Sequence, residues 1–261
     1  MKKKFYFGSN LKMYQTVSST MNYLYRLEEL TKDISREETE LFILPSFVGL
    51  ERAVREINPG LIKIGAQTMF WEEEGPFTGE ISPVMLSDMG VLLVMAGHSE
   101  RRHTFGETSQ EEGRRVLAAV RHGMTALLCV GETRDERAAG ISKEVIREQL
   151  KTALYQIAPE DSAKIRIAYE PAWAIGASGK PAEPACIEDI HEVIKETLSE
   201  LFQEAGKNIP VLYGGSVNLN NAPTYGEISA VDGLFVGRAA WNADKFNELI
   251  RETLKNLKAG S

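Results

Sequence analysis

The chain has 261 residues, 43% of them hydrophobic and 26% charged, and a formal net charge of −7 with a pI near 5.3. That is globular composition, long enough to bury a large core, and it lacks the basic stripe that nucleic acid or an anionic membrane surface would need. No run approaches the ~20 continuous apolar residues of a membrane span, and the basic start MKKKFYFGSN breaks at Gly8, too soon for a signal peptide.

In chain order, KFYFG reads as a first strand, and residues 18–31 follow with Met21, Leu24, Leu27 and Leu30 at helical spacing. ELFILP precedes a helix pattern over 47–57, and LIKIGAQ leads into a long loop. VLLVMAG comes before 110–122, MTALLCVGE before 143–157, and IRIAYE before 187–203. IPVLYGGS leads to a short helical piece, and VDGLFVG ends the series ahead of 243–257. Strands this uniformly apolar belong in a parallel sheet covered on both faces. Eight such units in one α/β chain of this length fit a closed (β/α)8 barrel better than an open doubly wound sheet. No shift in composition marks a boundary, so a single domain is expected over 1–261. Cys129 and Cys186 offer neither a disulfide framework nor metal-ligand spacing, which points to a reduced, cytoplasmic protein.

Asn10, Lys12, Gln67, His98, Glu132, Glu170 and Ser216 fall at or just past the ends of different strands. A barrel gathers those ends onto one rim, where such folds place their chemistry. Glu170 ends a buried strand ahead of Pro171. It is either a desolvated carboxylate, hence a stronger base, or a strand-end acid paired with a rim cation. His98 follows Gly97, with Ser99 as the expected cap of a helical turn. The dipole of that turn would favour neutral imidazole, a hydrogen-bond donor to an oxyanion; the alternative is a satisfied structural histidine. His103, His122 and His191 sit in or beside charged helical stretches and read as surface residues. Lys12 is either solvated or the cation an acidic protein needs to bind an anion, with Glu100 available to hold it in place. YGGSVN, with Ser216, and FVGRAAW, with Gly237 and Arg238, follow consecutive strands and resemble the two halves of a barrel phosphate site. Between Pro171 and Pro181, AWAIGASGK has the small residues of a lid that could bring Gly176 to a phosphate and exclude water around Glu170.

SNLKM, GAQ, GPFTGEIS, AGHSERR, FGE, CVGET, YEPAWAIG, YGGSVN and DGLFVG occur in this order from residue 9 to residue 237. Together they resemble the triosephosphate isomerase family over essentially the whole chain. The resemblance implies a (β/α)8 barrel, a homodimer, no cofactor, and the interconversion of dihydroxyacetone phosphate and glyceraldehyde 3-phosphate. It implies Glu170 as the base, His98 as the neutral electrophile, and Lys12 and Asn10 as oxyanion partners. Gly176, Ser216, Gly237 and Arg238 would hold the phosphate, and Thr78 would sit at the tip of a loop inserted into the partner subunit. The aromatics of MFWEEEGPF look too many to be exposed on a monomer. Three departures stand out: a lid one residue longer than the family's Ile-Gly-Thr-Gly-Lys, Leu11 where tryptophan is usual, and Arg238 where a second glycine is usual. The longer lid and Gly-Arg resemble a branch that isomerises four-carbon erythrulose phosphates. A non-catalytic phosphate-binding barrel is the third reading.

Overall fold

Short apolar strands alternate with helices along the chain, and each strand pairs in parallel with the next. The computed structural model describes residues 4–175 and 179–259. The strands are β1 (Phe5–Asn10), β2 (Thr39–Leu44), β3 (Lys63–Ala66), β4 (Leu93–Ala96), β5 (Thr125–Val130), β6 (Ile165–Tyr169), β7 (Val211–Tyr213) and β8 (Gly233–Phe235). β8 returns to β1 in the register Tyr6↔Gly233, Phe7↔Leu234 and Gly8↔Phe235, so the sheet closes on itself. This is the expected (β/α)8 barrel.

The helices are α1 (Val17–Thr31), α2 (Phe47–Glu56), α3 (Pro83–Met89), α4 (Ser99–Phe105), α5 (Ser109–Arg121), α6 (Arg134–Ala138), α7 (Ser142–Leu154), α8 (Pro184–Phe202), α9 (Ala222–Gly226) and α10 (Ala243–Ala259). The long ones bury one stripe each, as Met21, Leu24 and Leu27 do in α1. α3 lies inside what reads from sequence as a long loop. The Ser82 side chain caps it on Met85 N–H, Pro83 opens it, and Gly90 ends it in the left-handed conformation. Among the described residues, no helix is long and apolar enough to cross a membrane.

The apolar core has two shells. One lies between the strands and the helix ring; the other fills the barrel with Phe42, Leu44, Leu93, Met95, Leu127, Cys129, Ala168, Leu212 and Phe235. Its floor is charged. Near the strand N-termini, Arg166 pairs with Glu40 at 2.5 Å and stacks over the Tyr6 ring, and Lys63 meets the other oxygen of Glu40 at 2.7 Å. Burial pushes Glu40 up, but Arg166 and Lys63 outweigh it and hold the carboxyl below its ordinary range.

His191 corrects the sequence reading. It is fully buried between α8 and the strands, its Nδ1 is 3.1 Å from Ala230 C=O, and its ring lies against Tyr169 and Tyr213. In phase with Ile187, Ile190 and Ile194, it belongs to the apolar stripe of α8. Burial lowers its pKa from 6.5 to about 4, so the unfolded chain takes up a proton at this position before the folded chain does. The stability it contributes is therefore complete above pH 6.5 and is lost as the pH falls towards 4, by up to about 3 kcal/mol. Urea unfolding from pH 7 to 4 should show this slope in the wild type and a shallower one in His191→Gln; equal slopes would assign the loss to other groups.

Candidate active site

Three βα connections converge on the mouth. After β1 the chain turns sharply, with Lys12 at φ +52°, a left-handed conformation that costs a non-glycine residue roughly 1–3 kcal/mol. Three hydrogen bonds hold it there. Asn10 Oδ1 accepts from Lys12 N–H at 2.8 Å, Gln67 Nε2 donates to Lys12 C=O at 2.9 Å, and Trp241 Nε1 donates to Asn10 C=O at 3.0 Å. The Lys12 ammonium so placed meets Glu100 Oε1 at 2.6 Å. Gln67 is therefore a brace for this turn, and Trp241, which the sequence reading passed over, is another.

His98 follows β4 and is itself the N-cap of α4, in place of the expected Ser99. Its Nδ1 accepts the Glu100 N–H at 3.2 Å. With Nδ1 as the acceptor, the ring hydrogen is placed on Nε2. That Nε2 lies 3.7 Å from Glu170 Oε1, beyond hydrogen-bonding distance.

Glu170 follows β6, and its N–H donates to Val130 C=O at 2.8 Å. It is buried, and its Oε2 has no hydrogen-bond partner. Among the described residues, the side-chain nitrogen of a basic group within 4 Å of its carboxylate is that of His98, so the alternative of a carboxylate neutralised by a rim cation finds no partner. Two glycines shape its seat. A Cβ on Gly131 would lie 2.0 Å from Glu170 C=O, and one on Gly214 would lie 2.8 Å from Glu170 Cγ. Gln149 fixes Gly131 by bonding both its N–H and its C=O. Burial first, and then the Glu170 carboxylate, pushes the Cys129 thiol well up, so it remains protonated inside the barrel.

Glu132 has a different fate. Its carboxylate accepts from Tyr169 OH at 3.1 Å and from Trp173 Nε1 at 2.7 Å, while Arg137 stacks on the Trp173 ring at 3.7 Å. It anchors the start of the segment that leads towards the expected lid. Of that lid, Gly176 lies outside the described residues, as do Ala177 and Ser178. The segment before them is tied down by Ser216, whose hydroxyl donates to Ala174 C=O at 2.5 Å.

A cavity of about 420 Å³ opens above these groups, with Lys12, Gly214, Ser216, Gly237 and Arg238 in its wall. Gly237 leads into a 3-10 turn over Arg238–Ala240, and a Cβ there would meet nothing within 4 Å. Lys12 and Arg238 line the same concavity, with Glu100, the ion-pair partner of Lys12, also in its wall. Two cations against one carboxylate leave it suited to an anion. Thr78 is exposed in the β3–α3 loop. Of the nearby aromatics, Phe70 and Trp71 are half-buried and stacked at 4.1 Å, while Phe77, 4.5 Å from Phe70, is exposed.

The family model described as triosephosphate isomerase matches residues 5–253. The chain belongs to the triosephosphate isomerase family. An L-erythrulose-1-phosphate isomerase of Rhizobium etli is 40% identical over 245 residues, 93% of this chain and 90% of the relative. A triosephosphate isomerase of Caldanaerobacter subterraneus subsp. tengcongensis is 39% identical over 244 residues, covering 93% and 97%. Another, of Dictyoglomus turgidum, is 39% identical over 245 residues, covering 94% and 97%. Family membership makes the chain an isomerase with a small sugar phosphate as substrate, and the relatives divide between three and four carbons at equal distance.

Glu132 gives the test of this local architecture. Glu132→Leu strands the buried Tyr169 hydroxyl and should cost roughly 1–3 kcal/mol, whereas Glu132→Gln, which keeps an acceptor, should cost less than half as much. Urea unfolding of the two variants measures the difference, and equal losses would mean the contacts are incidental.

Proposed function

We propose that residues 1–261 form one isomerase domain that interconverts dihydroxyacetone phosphate and glyceraldehyde 3-phosphate. The observation that carries this is the 3.7 Å approach of Glu170 Oε1 to His98 Nε2 beside a cavity walled by Lys12, Ser216, Gly237 and Arg238. In this reading, the substrate phosphate binds at Ser216, Gly237 and Arg238, joined by Gly176. The carbonyl end then reaches the buried carboxylate. Glu170 takes a proton from the carbon next to the carbonyl, and the electrons move onto the carbonyl oxygen. The Nε2–H of His98 and the Lys12 ammonium, with Asn10 beside it, stabilise that oxygen. The former carbonyl oxygen then takes a proton and the neighbouring hydroxyl gives one up, an exchange that His98 Nε2 can carry between the two oxygens. Glu170 returns its proton to the former carbonyl carbon as the new carbonyl forms, with no cofactor needed. Glu100 keeps the Lys12 ammonium at the mouth.

The active form in this reading is a cytoplasmic homodimer. Its support is the placing of exposed apolar side chains: among the described residues nine of the twelve large ones, Met13 (95% exposed), Tyr14 and Phe105 among them, fall in the first four βα units, against Ile141, Tyr155 and Leu219 elsewhere, a bias a second copy would cover. Thr78 would enter the partner beside Asn10 and Lys12.

A second reading keeps the chemistry and changes the substrate to a four-carbon erythrulose phosphate. Arg238 on the phosphate rim, the lengthened lid and the Rhizobium etli relative favour it. Assays with dihydroxyacetone phosphate and L-erythrulose 1-phosphate separate the two, and we expect the larger kcat/KM with the triose. Glu170→Gln, which keeps the volume and removes the base, should lower kcat by roughly 10²–10⁴. Turnover of neither substrate, with the phosphate still bound, would leave a non-catalytic barrel.

A further inference from the structure

α5 carries a carboxyl group with no part in the chemistry above. Glu112 is wholly buried, and its Oε2 accepts the Gly97 N–H at 2.7 Å. Gly97 is the residue before His98. It sits at φ +76°, where a Cβ would meet Arg102 Nη2 at 2.6 Å and Cys129 C=O at 2.7 Å, and its own C=O accepts from Arg102 Nε at 2.8 Å. Both backbone polar groups of Gly97 are thus held by side chains, its C=O by Arg102 of α4 and its N–H by Glu112 of α5.

The other oxygen of Glu112, Oε1, lies 3.5 Å from Arg115 Nη1 but accepts no hydrogen bond from a nitrogen, and Oε2 of Glu107 is likewise buried without one. The rest of Glu107 is saturated: its Oε1 accepts from Arg101 Nη2 at 2.5 Å and from Arg115 Nη2 at 2.8 Å. Glu107 and Glu112 are hydrogen-bond partners of each other, and two carboxyl groups can bond to each other when one of them carries a proton. We propose that Glu112 is a positioning residue for His98, sharing a proton with Glu107 through one oxygen while it holds the Gly97 peptide with the other. This rests on the role given to His98 above.

The surrounding charges agree. Glu112 faces Arg115 on its own helix, Glu107 in the turn before it, Arg101 and Arg102 of α4, and Cys129 of β5, and Glu148 of α7 reaches the cluster through Ser109. Burial first, and then the hydrogen bond with Glu107, pushes Glu112 up to about 8, against the pull of Arg115. Burial also pushes Glu107 up, but Arg101, the hydrogen bond from Glu112 and Arg115 together hold it below its ordinary range. Glu112 therefore carries the proton at neutral pH. As the pH rises through 8 it loses that proton beside a second carboxylate, and their repulsion loosens the turn before His98.

Glu112→Val should lower kcat by roughly 10- to 100-fold, the effect of a small displacement of a catalytic group, with KM changed by less than about twofold. Glu112→Gln can accept from Gly97 and donate to Glu107 without titrating. It should restore kcat at pH 7 and remove the fall in kcat expected of the wild type above pH 8. The ¹³C signal of the Glu112 carboxyl should titrate near pH 8, and the His98 ring ¹⁵N signals should move in Glu112→Val but not in Glu112→Gln. The two NMR readouts do not need turnover, so they test the proposal even if the protein isomerises neither substrate. A Glu112 midpoint near 4.5, or His98 signals and a pH profile unchanged in both variants, would overturn it.

Discussion

Closure of the sheet is the constraint from which the rest follows. Tyr6 N–H donates to Asp232 C=O at 3.0 Å, and Val236 N–H donates to Gly8 C=O at 2.7 Å, joining the last strand to the first. With all eight strands parallel and no free edge, every C-terminal end must reach the same rim. Trp241 can then donate to Asn10 C=O across 231 residues of chain. Without that seam, Lys12 and Arg238 would not share a cavity, and the strained Lys12 turn would lose a brace.

Four buried glutamates show how one side chain is put to four uses by its surroundings. Glu40 is neutralised by Arg166 and Lys63 and plugs the floor of the barrel. Glu132 is satisfied by two neutral donors, Tyr169 and Trp173, and ties down the chain before the lid. Glu112 shares its environment with another carboxyl group and braces a peptide. Glu170 has neither a cation nor a donor on Oε2, and it is the one beside the cavity. A buried carboxylate left unsatisfied is costly, and the tight seats at Gly131 and Gly214 hold this one in place.

Charge follows the same logic. The protein is acidic overall, at −7, yet the cavity wall brings together Lys12 and Arg238. Net charge describes solubility and long-range steering, whereas the affinity for an anion is decided by the few groups inside its reach.

The alternation of apolar strands and helical stripes was enough to read the eight strands, the closed barrel and the residues at the strand ends, because periodicity reports on neighbours within a turn or a pleat. His191 was within reach of the same reasoning, since its phase with Ile187, Ile190 and Ile194 marks it as buried. The cap of α4 was not: whether His98 or Ser99 takes that place depends on Gly97, whose peptide is held by Glu112 from 15 residues away. Nor could the sequence distinguish Glu132 from Glu170, two rim carboxylates that differ only in which donors the folded barrel brings to them. Which strands form is settled by local chemistry; which oxygen is left without a partner is settled by distances that exist only once the barrel has closed.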